Sequence, residues 1–336
     1  MSPRDLAWSA DANRLAVTEQ RVLYCFDGAT DLPTWQAVLP DDPVAVAVTD
    51  AHTLVLLSSG VLVAYTDAGV EAWRHSVSGR ALATAPDGRW AVVGAECVHV
   101  GRGDAPEGSH AVLGGVAAAF GDDDLGVVTA ARALSVVAAD GTVIELDYGG
   151  DADADAVAWS PRRLWLVSQG DCVRYVDPDD STCGRAARYE GSVVSGVVAR
   201  GPMFAFRVDN DFVAVCAFPD GTDLCKLQYI DRTIGGIALA GEDRLAVAVG
   251  GGHANLVDLP TGALRRTDEH EGQERDRWMV RIQAETDWWN PPAEPEDEAT
   301  GTSLGGWAVR VFLAVVALGF LLTCSGVALR LLFWLR

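Results

Sequence analysis

Lysine is all but missing from this chain of 336 residues, where Lys226 stands alone beside 25 arginines. Basic residues are scarce altogether, 26 against 47 aspartates and glutamates, and the formal net charge is −21. That balance argues against a nucleic-acid partner, because phosphate contact needs a basic stripe and this field repels polyanions. It argues equally against docking on anionic lipid through a polybasic patch. Histidine is sparse too: His52, His75, His99, His110, His253 and His270 are the whole set, and none stands at an HxH or HExxH ligand spacing. No GxSxG elbow occurs, and no adjacent cysteine pair or CxxC knuckle. Windows of 3.6-residue periodicity are lacking before the C-terminus. The N-terminus, MSPRDLAWSADANRLAV, lacks a basic stretch followed by an apolar one, so no secretory signal is expected.

What is present is a repeat. With 49% hydrophobic residues the chain can fill a core, which excludes a disordered class. A short apolar triplet recurs seven times: Leu15-Ala-Val17, Leu54-Val-Leu56, Trp90-Ala-Val92, Leu125-Gly-Val127, Leu164-Trp-Leu166, Phe204-Ala-Phe206 and Leu245-Ala-Val247. Successive copies begin 39, 36, 35, 39, 40 and 41 residues apart, as read from the numbering. Upstream of most lies a small-apolar stretch such as Val44-Ala-Val-Ala-Val48 or Val116-Ala-Ala-Ala-Phe120. Downstream comes a second alternating run, as in Val22-Leu-Tyr-Cys-Phe26 and Val61-Leu-Val-Ala-Tyr65, and then a turn signal such as Asp67-Ala-Gly69 or Asp140-Gly141. Period-2 alternation buries one strand face, and Asp-Gly supplies the positive φ that a two-residue hairpin needs. Three or four short strands per unit, repeated seven times, predict an all-β fold: a single β-propeller of seven four-stranded blades. Small Ala and Val residues suit the crowded inner strand, whereas Trp35 and Trp73 belong on outer strands, where blades diverge. The seventh blade is expected to close with an outer strand around residues 263–267, with Trp278–Ile282 as an edge strand or packed beneath the ring. Six or eight blades stay open at this stage.

Asp67-Ala-Gly-Val-Glu-Ala-Trp73, following Val61–Tyr65, resembles the repeat of quinoprotein-type (PQQ-like) propellers. Ala156-Val-Ala-Trp-Ser-Pro161 and Val257-Asp-Leu-Pro-Thr-Gly262 look more like WD40 repeats, although the Gly-His and Trp-Asp pairs of that family are absent. The resemblance spans about residues 5–267 and implies the superfamily fold. It carries over none of the quinoprotein catalytic residues, since the adjacent Cys-Cys pair and the calcium-binding acidic or Asn cluster of those enzymes have no counterpart.

The C-terminal part reads differently. Residues 311–329, VFLAVVALGFLLTCSGVAL, carry no charge, and a helix of that length rises about 28 Å, close to a bilayer core. Trp307 and Trp334 bracket it and Arg310, Arg330 and Arg336 flank it, as interfacial anchors do. The expected organisation is a propeller over residues 1–284, an acidic Pro/Gly-rich linker over 285–306 and one transmembrane helix over 307–333. An anchor placed last, with no signal before it, implies a tail-anchored protein whose propeller faces the cytoplasm; the positive-inside rule points weakly the other way.

The acidity is spread over turns. Removing the three flanking arginines leaves 23 basic residues against 47 acids in residues 1–306, a charge of −24. With lysine nearly absent, this composition resembles that of salt-in haloarchaeal proteins, in whose cytoplasm the Debye length is about 3 Å at 1 M salt. Asp151-Ala-Asp-Ala-Asp155 invites a calcium reading, but Ala156 and Arg162 stand where an EF-hand loop has Gly and Glu, so a solvated turn is expected. With Asp220-Gly221 as a two-residue turn, Cys216 would face Cys225, and Cys172 and Cys183 flank the 177–180 turn in a similar way. Reduced thiols are nonetheless expected in a cytoplasmic domain, and disulfides at these pairs would reverse the topology. Cys25 and Cys97 raise no such pairing, and Cys324 reads as a packing residue of the anchor.

The sequence thus yields an architecture and no catalytic, cofactor or metal residue. The expected function is a non-catalytic, membrane-tethered scaffold that binds a protein partner, with the bilayer engaged through Val311–Leu329. An enzyme or ligand sensor of hydrolase, lactonase or quinoprotein type, with its site in the axial channel, is the alternative.

Overall fold

Every second strand of the repeat carries a buried apolar triplet because it is packed on both faces, and that requirement dictates a ring. The computed structural model describes residues 5–9, 13–27, 33–209, 212–219, 221–228, 234–240, 244–249, 253–259 and 276–281. They form seven antiparallel sheets of four strands each. Blade 1 comprises β1 (Leu6–Trp8), β2 (Arg14–Glu19), β3 (Val22–Asp27) and β4 (Pro33–Val38). Blade 2 holds β5 (Pro43–Val48), β6 (Thr53–Leu57), β7 (Val61–Tyr65) and β8 (Glu71–Ser76). In blade 3 come β9 (Ala81–Thr84), β10 (Arg89–Val93), β11 (Cys97–Arg102) and β12 (Ala105–Ala111). Blade 4 has β13 (Gly115–Phe120), β14 (Leu125–Thr129), β15 (Ala133–Val137) and β16 (Val143–Asp147). Blade 5 follows with β17 (Ala154–Trp159), β18 (Trp165–Gln169), β19 (Cys172–Val176) and β20 (Cys183–Arg188). Blade 6 consists of β21 (Val194–Arg200), β22 (Met203–Val208), β23 (Phe212–Ala217) and β24 (Asp223–Gln228). Blade 7 ends the series with β25 (Ile234–Ala240), β26 (Arg244–Val249), β27 (His253–Asp258) and β28 (Asp276–Arg281).

The inner strands touch in cyclic order, β1 to β5, β9, β13, β17, β21, β25 and back to β1, so the ring closes. No strand is exchanged between the first and last blades, since β1 pairs within blade 1 and β28 within blade 7. The outer strand of blade 7 is therefore 276–281 and includes Trp278; the 263–267 segment expected in that role lies outside the described residues. Seven apolar clusters fill the seven interfaces between neighbouring blades. Leu6, Trp8, Leu15, Val17 and Phe26 of blade 1 pack on Ala246, Ala248 and Leu256 of blade 7, which seals the ring hydrophobically.

All seven triplets fall on or against second strands, but two are one residue out of phase. In blades 1, 3, 4, 6 and 7 the outer triplet residues face the preceding blade, as Phe204 and Phe206 do. Leu54 and Leu56 instead face the following blade 3, and Leu166 faces blade 6. The residues that match the other blades there are Val55 and Trp165, because a one-residue slip exchanges the two faces of a strand. Trp35 and Trp73 lie on the outer strands β4 and β8, as expected.

The turns after the third strands of blades 2 and 4 are wider than two residues, whereas Glu19 pairs with Val22 and Gln169 with Cys172 across two-residue turns. Thr66 N donates to Val70 O at 2.9 Å and Gly69 N to Thr66 O at 2.9 Å, and the same pattern joins Ala138, Gly141 and Thr142. These are three-residue loops whose glycine alone takes positive φ, +73° at Gly69 and +83° at Gly141. That difference corrects the cysteine register. Ala217 N bonds to Thr222 O, a bulge follows Val215, and Cys216 faces Asp223 while Cys225 faces Val215. Cys172 faces Arg188 and Cys183 faces Val176, at opposite ends of their hairpin. None of the six described cysteines forms a disulfide. Burial pushes the Cys25 and Cys225 thiols up to about 11, which keeps them protonated and unreactive at neutral pH.

No described helix is long and apolar enough to cross a membrane. The expected linker and anchor, 285–306 and 307–333, lie outside the described residues.

Candidate functional site

Four antiparallel strands per blade return the chain to the face on which it entered. The inner strands therefore all start on one face, here called the entry face, together with the loops that join consecutive blades. Five inner strands carry a bulge near that start, after Pro43, Gly115, Ala154, Ser195 and Ile234. The bulges leave residues without ladder partners at the mouth of the axial channel.

Polar side chains from three blades use those loosened positions. Asp5, just before β1, accepts from Leu6 N at 3.0 Å through Oδ1 and from Val46 N of blade 2 at 2.9 Å through Oδ2. Asp155 occupies the bulge of β17; its Oδ1 accepts from the Ser168 hydroxyl and its Oδ2 from Gly196 N of blade 6 at 3.2 Å. Arg207 Nη1 donates to Gly235 O of blade 7 at 2.8 Å. Its Nε is buried without a hydrogen-bond partner among the described residues. The guanidinium lies over Gly196, where an added Cβ would stand 2.8 Å from Nε and where φ is +66°, so only glycine fits. Arg207 acts electrostatically on both Asp5 and Asp155, although these belong to blades 6, 1 and 5.

The two carboxylates are open to the channel yet ringed by protein, and the loss of bulk water raises both. Burial lifts Asp5 to about 6 despite the Val46 and Leu6 N–H groups and Arg207, which all pull it down. Asp155 is raised for the same reason, opposed by Ser168 and Arg207. Each carboxylate thus clasps the next blade at the cost of holding a charge away from solvent. Asp5 binds its proton more tightly in the folded ring than in the unfolded chain. Its contribution to stability is therefore fully present below 3.8 and is lost as pH rises through about 6. The melting temperature of wild type minus that of Asp5→Asn should fall between about pH 4 and pH 7. A flat difference across that window would contradict this origin.

Asp155 corrects the reading of the 151–155 segment. Asp151 and Asp153 are exposed turn residues, and Asp153 pairs with Arg132 at 3.0 Å, but Asp155 belongs to the axial mouth. No group of three His, Cys, Asp or Glu able to hold a metal occurs among the described residues. The histidines go elsewhere: His52 and His75 pack with Trp73, and His75 stacks on Trp90, between blades 2 and 3. His99 Nε2 lies 3.4 Å from Cys97 Sγ on β11. The lone lysine clasps blades 5 and 6: Lys226 Nζ is 2.9 Å from Asp223 Oδ2 and 5.0 Å from the Tyr189 ring centre, and Tyr189 OH donates to Asp223 at 2.6 Å.

The entry face presents four of the seven exposed large apolar side chains among the described residues; Val70, Val143 and Ile144 lie toward the opposite face. Val38 is 71% exposed, Leu113 73% and Val193 63%, in the connections from blade 1 to 2, 3 to 4 and 5 to 6. Val44, in the bulge of β5, is 38% exposed. Sequence alternation did not reveal them, because they stand at strand ends.

The class defined by this geometry is a seven-bladed β-propeller with contiguous four-stranded blades. No family model matches the chain, and no curated protein does. Among solved structures it is similar to a chain in the crystal structure of the mitotic checkpoint complex, at 14% identity and a TM-score of 0.65, covering 76% of this chain and 86% of that one. It is also similar to a chain in the crystal structure of Chaetomium thermophilum Raptor, at 13% identity and a TM-score of 0.66. That match covers 77% of this chain but only 28% of the Raptor chain. At such identities the likeness is one of fold.

Proposed function

We propose that this protein is a non-catalytic scaffold, tethered to a membrane by residues 307–333, whose propeller faces the cytoplasm and docks a protein partner on its entry face. The observation that carries the reading is the set of exposed Val38, Leu113 and Val193 side chains on three blade connections of one face. Exposed apolar groups spaced around the rigid rim of one face are what a partner's apolar surface desolvates. The axial clasps support it by holding the loops in fixed relation. The −24 on residues 1–306 fits work in concentrated salt, where screening leaves apolar contact as the main attraction.

Affinity isolation from detergent-solubilised membranes in molar salt tests this, comparing wild type with Leu113→Asp/Val193→Asp. Burying two such side chains is worth about 3 kcal/mol or more, so the double variant should recover its partner at least about tenfold less well while melting like wild type. Equal recovery, or no partner with wild type, would sink the reading.

A further inference from the structure

A second recess lies on the outer flank of the ring, between blades 2 and 3, and it differs chemically from the entry face. Blades diverge outward, and the outer strand β12, Ala-Pro-Glu-Gly-Ser-His-Ala, is too small to fill the gap beside Trp73 and Trp90. An open cleft of about 380 Å³ results, lined by His75, Ser76, Trp90, His99, Glu107 and Ser109 among others. Its aromatic wall is a cluster of three rings: His75 is 6.0 Å and 27° from Trp90 and 5.0 Å and 38° from Trp73, which is itself 6.2 Å from Trp90.

Hydrogen-bond bookkeeping defines the occupant. Trp90 Nε1 already donates to Gly103 O at 3.0 Å. His75 Nε2 lies 2.9 Å from Asp104 O and must donate to it, because a carbonyl only accepts; in the neutral ring Nδ1 is then the acceptor. Glu107 adds a carboxylate whose nearest cation, Arg102, comes no closer than 3.8 Å, with the Glu107 side chain 51% exposed. Ser76 and Ser109 add hydroxyls, which accept as readily as they donate. The lining thus joins a flat aromatic wall to an anionic, acceptor-rich edge and contains no lysine or arginine. A planar cation with several N–H donors and no acceptor matches it, whereas an anion or a carbonyl-rich ligand does not.

We infer that the cleft between blades 2 and 3 binds a guanidinium group, presented by an arginine of a partner or by a small guanidino compound. The plane stacks on His75 and the N–H groups pair with Glu107, an arrangement that a tetrahedral ammonium does not reproduce. The inference is independent of entry-face docking, since it uses different blades and different side chains.

Calorimetric titration of the full-length protein in detergent, at the salt in which it is folded, tests it with agmatine, cadaverine and the peptide Gly-Gly-Arg-Gly-Gly. Agmatine or the peptide should bind, and cadaverine about tenfold more weakly. Tighter binding by the peptide would point to a partner's arginine, and equal binding to a small guanidino compound. Glu107→Gln should weaken binding about tenfold or more. Ser109→Phe should abolish it without unfolding the ring, because Ser109 is an exposed lining residue that stands opposite His99 on the strand face turned toward blade 2. No heat with either guanidino probe, equal affinity for cadaverine, or unchanged binding by Ser109→Phe would overturn the inference.

Discussion

Trp165→Ala should cost about 3–5 kcal/mol, enough to remove much of the stability of an ordinary domain. The side chain is 1% exposed and sits in the interface of blades 4 and 5, among Val128, Leu134, Val136, Tyr148 and Val157. Its ring edge lies over Gly126, where a Cβ would come within 2.6 Å of Cζ3. The neighbouring backbone is therefore already in contact and cannot move in to fill the void, so the cavity term persists. Trp165→Phe makes the argument specific. The Trp165 Nε1 is buried without a hydrogen-bond partner among the described residues, and phenylalanine removes that unpaired donor along with part of the ring. Its cost should stay below about 2 kcal/mol. Denaturant midpoints in constant salt measure both; equal losses for the two variants would contradict a cost set by the cavity left behind.

Gly101→Ala should destabilise through overpacking, by about 1–3 kcal/mol or more. An added Cβ would lie 2.2 Å from Trp90 Cζ2 and 2.7 Å from Ala105 O. The carbonyl is backbone and does not yield, and Trp90 is held by its bond to Gly103 O at 3.0 Å. Shortening the ring with Trp90→Phe should relieve part of the clash. The double variant should then be more stable than the sum of the single losses by about 0.5–3 kcal/mol. Strict additivity in denaturant titrations would mean that Gly101 is not the seat of that ring.

These two glycines show where the sequence is readable and where it is not. The triplet Leu125-Gly-Val127 marks a second strand, since its flanking residues are buried on one face and the pattern repeats. Nothing local explains its central glycine, because the reason is Trp165, nearly forty residues away in the next blade. The seven-blade count, the outer tryptophans and the small inner strands were legible for the opposite reason: they follow from periodicity within each unit. Phase was harder. Leu54-Val-Leu56 and Leu164-Trp-Leu166 look like the other triplets because both faces of a second strand are apolar, so a slip of one residue leaves no trace in hydropathy.

The axial mouth was still less legible. Asp5-Leu-Ala-Trp-Ser9 and Asp155-Ala-Val-Ala-Trp-Ser160 do form a repeated pattern, with the bulge of β17 accounting for the extra residue. Grouping Asp155 with Asp151 and Asp153 hid that parallel behind a calcium motif. Arg207 bears no sequence mark at all, for it joins the carboxylates only once seven blades have closed. The cysteine register failed on a local quantity, turn length, which Asp220-Gly221 alone did not specify. Exposed Val38, Leu113 and Val193 stand at strand ends, where alternation stops carrying information.

Hydrogen exchange on the complex with the partner recovered from membranes tests the docking claim most directly. Docking on the entry face predicts slowed exchange in residues 38–44, 112–116 and 191–196 when the partner is bound. The opposite face, with its loops at 49–52, 85–88, 121–124 and 160–163, should be unchanged. Protection confined to those opposite loops, or no protection on the entry face, would contradict the account.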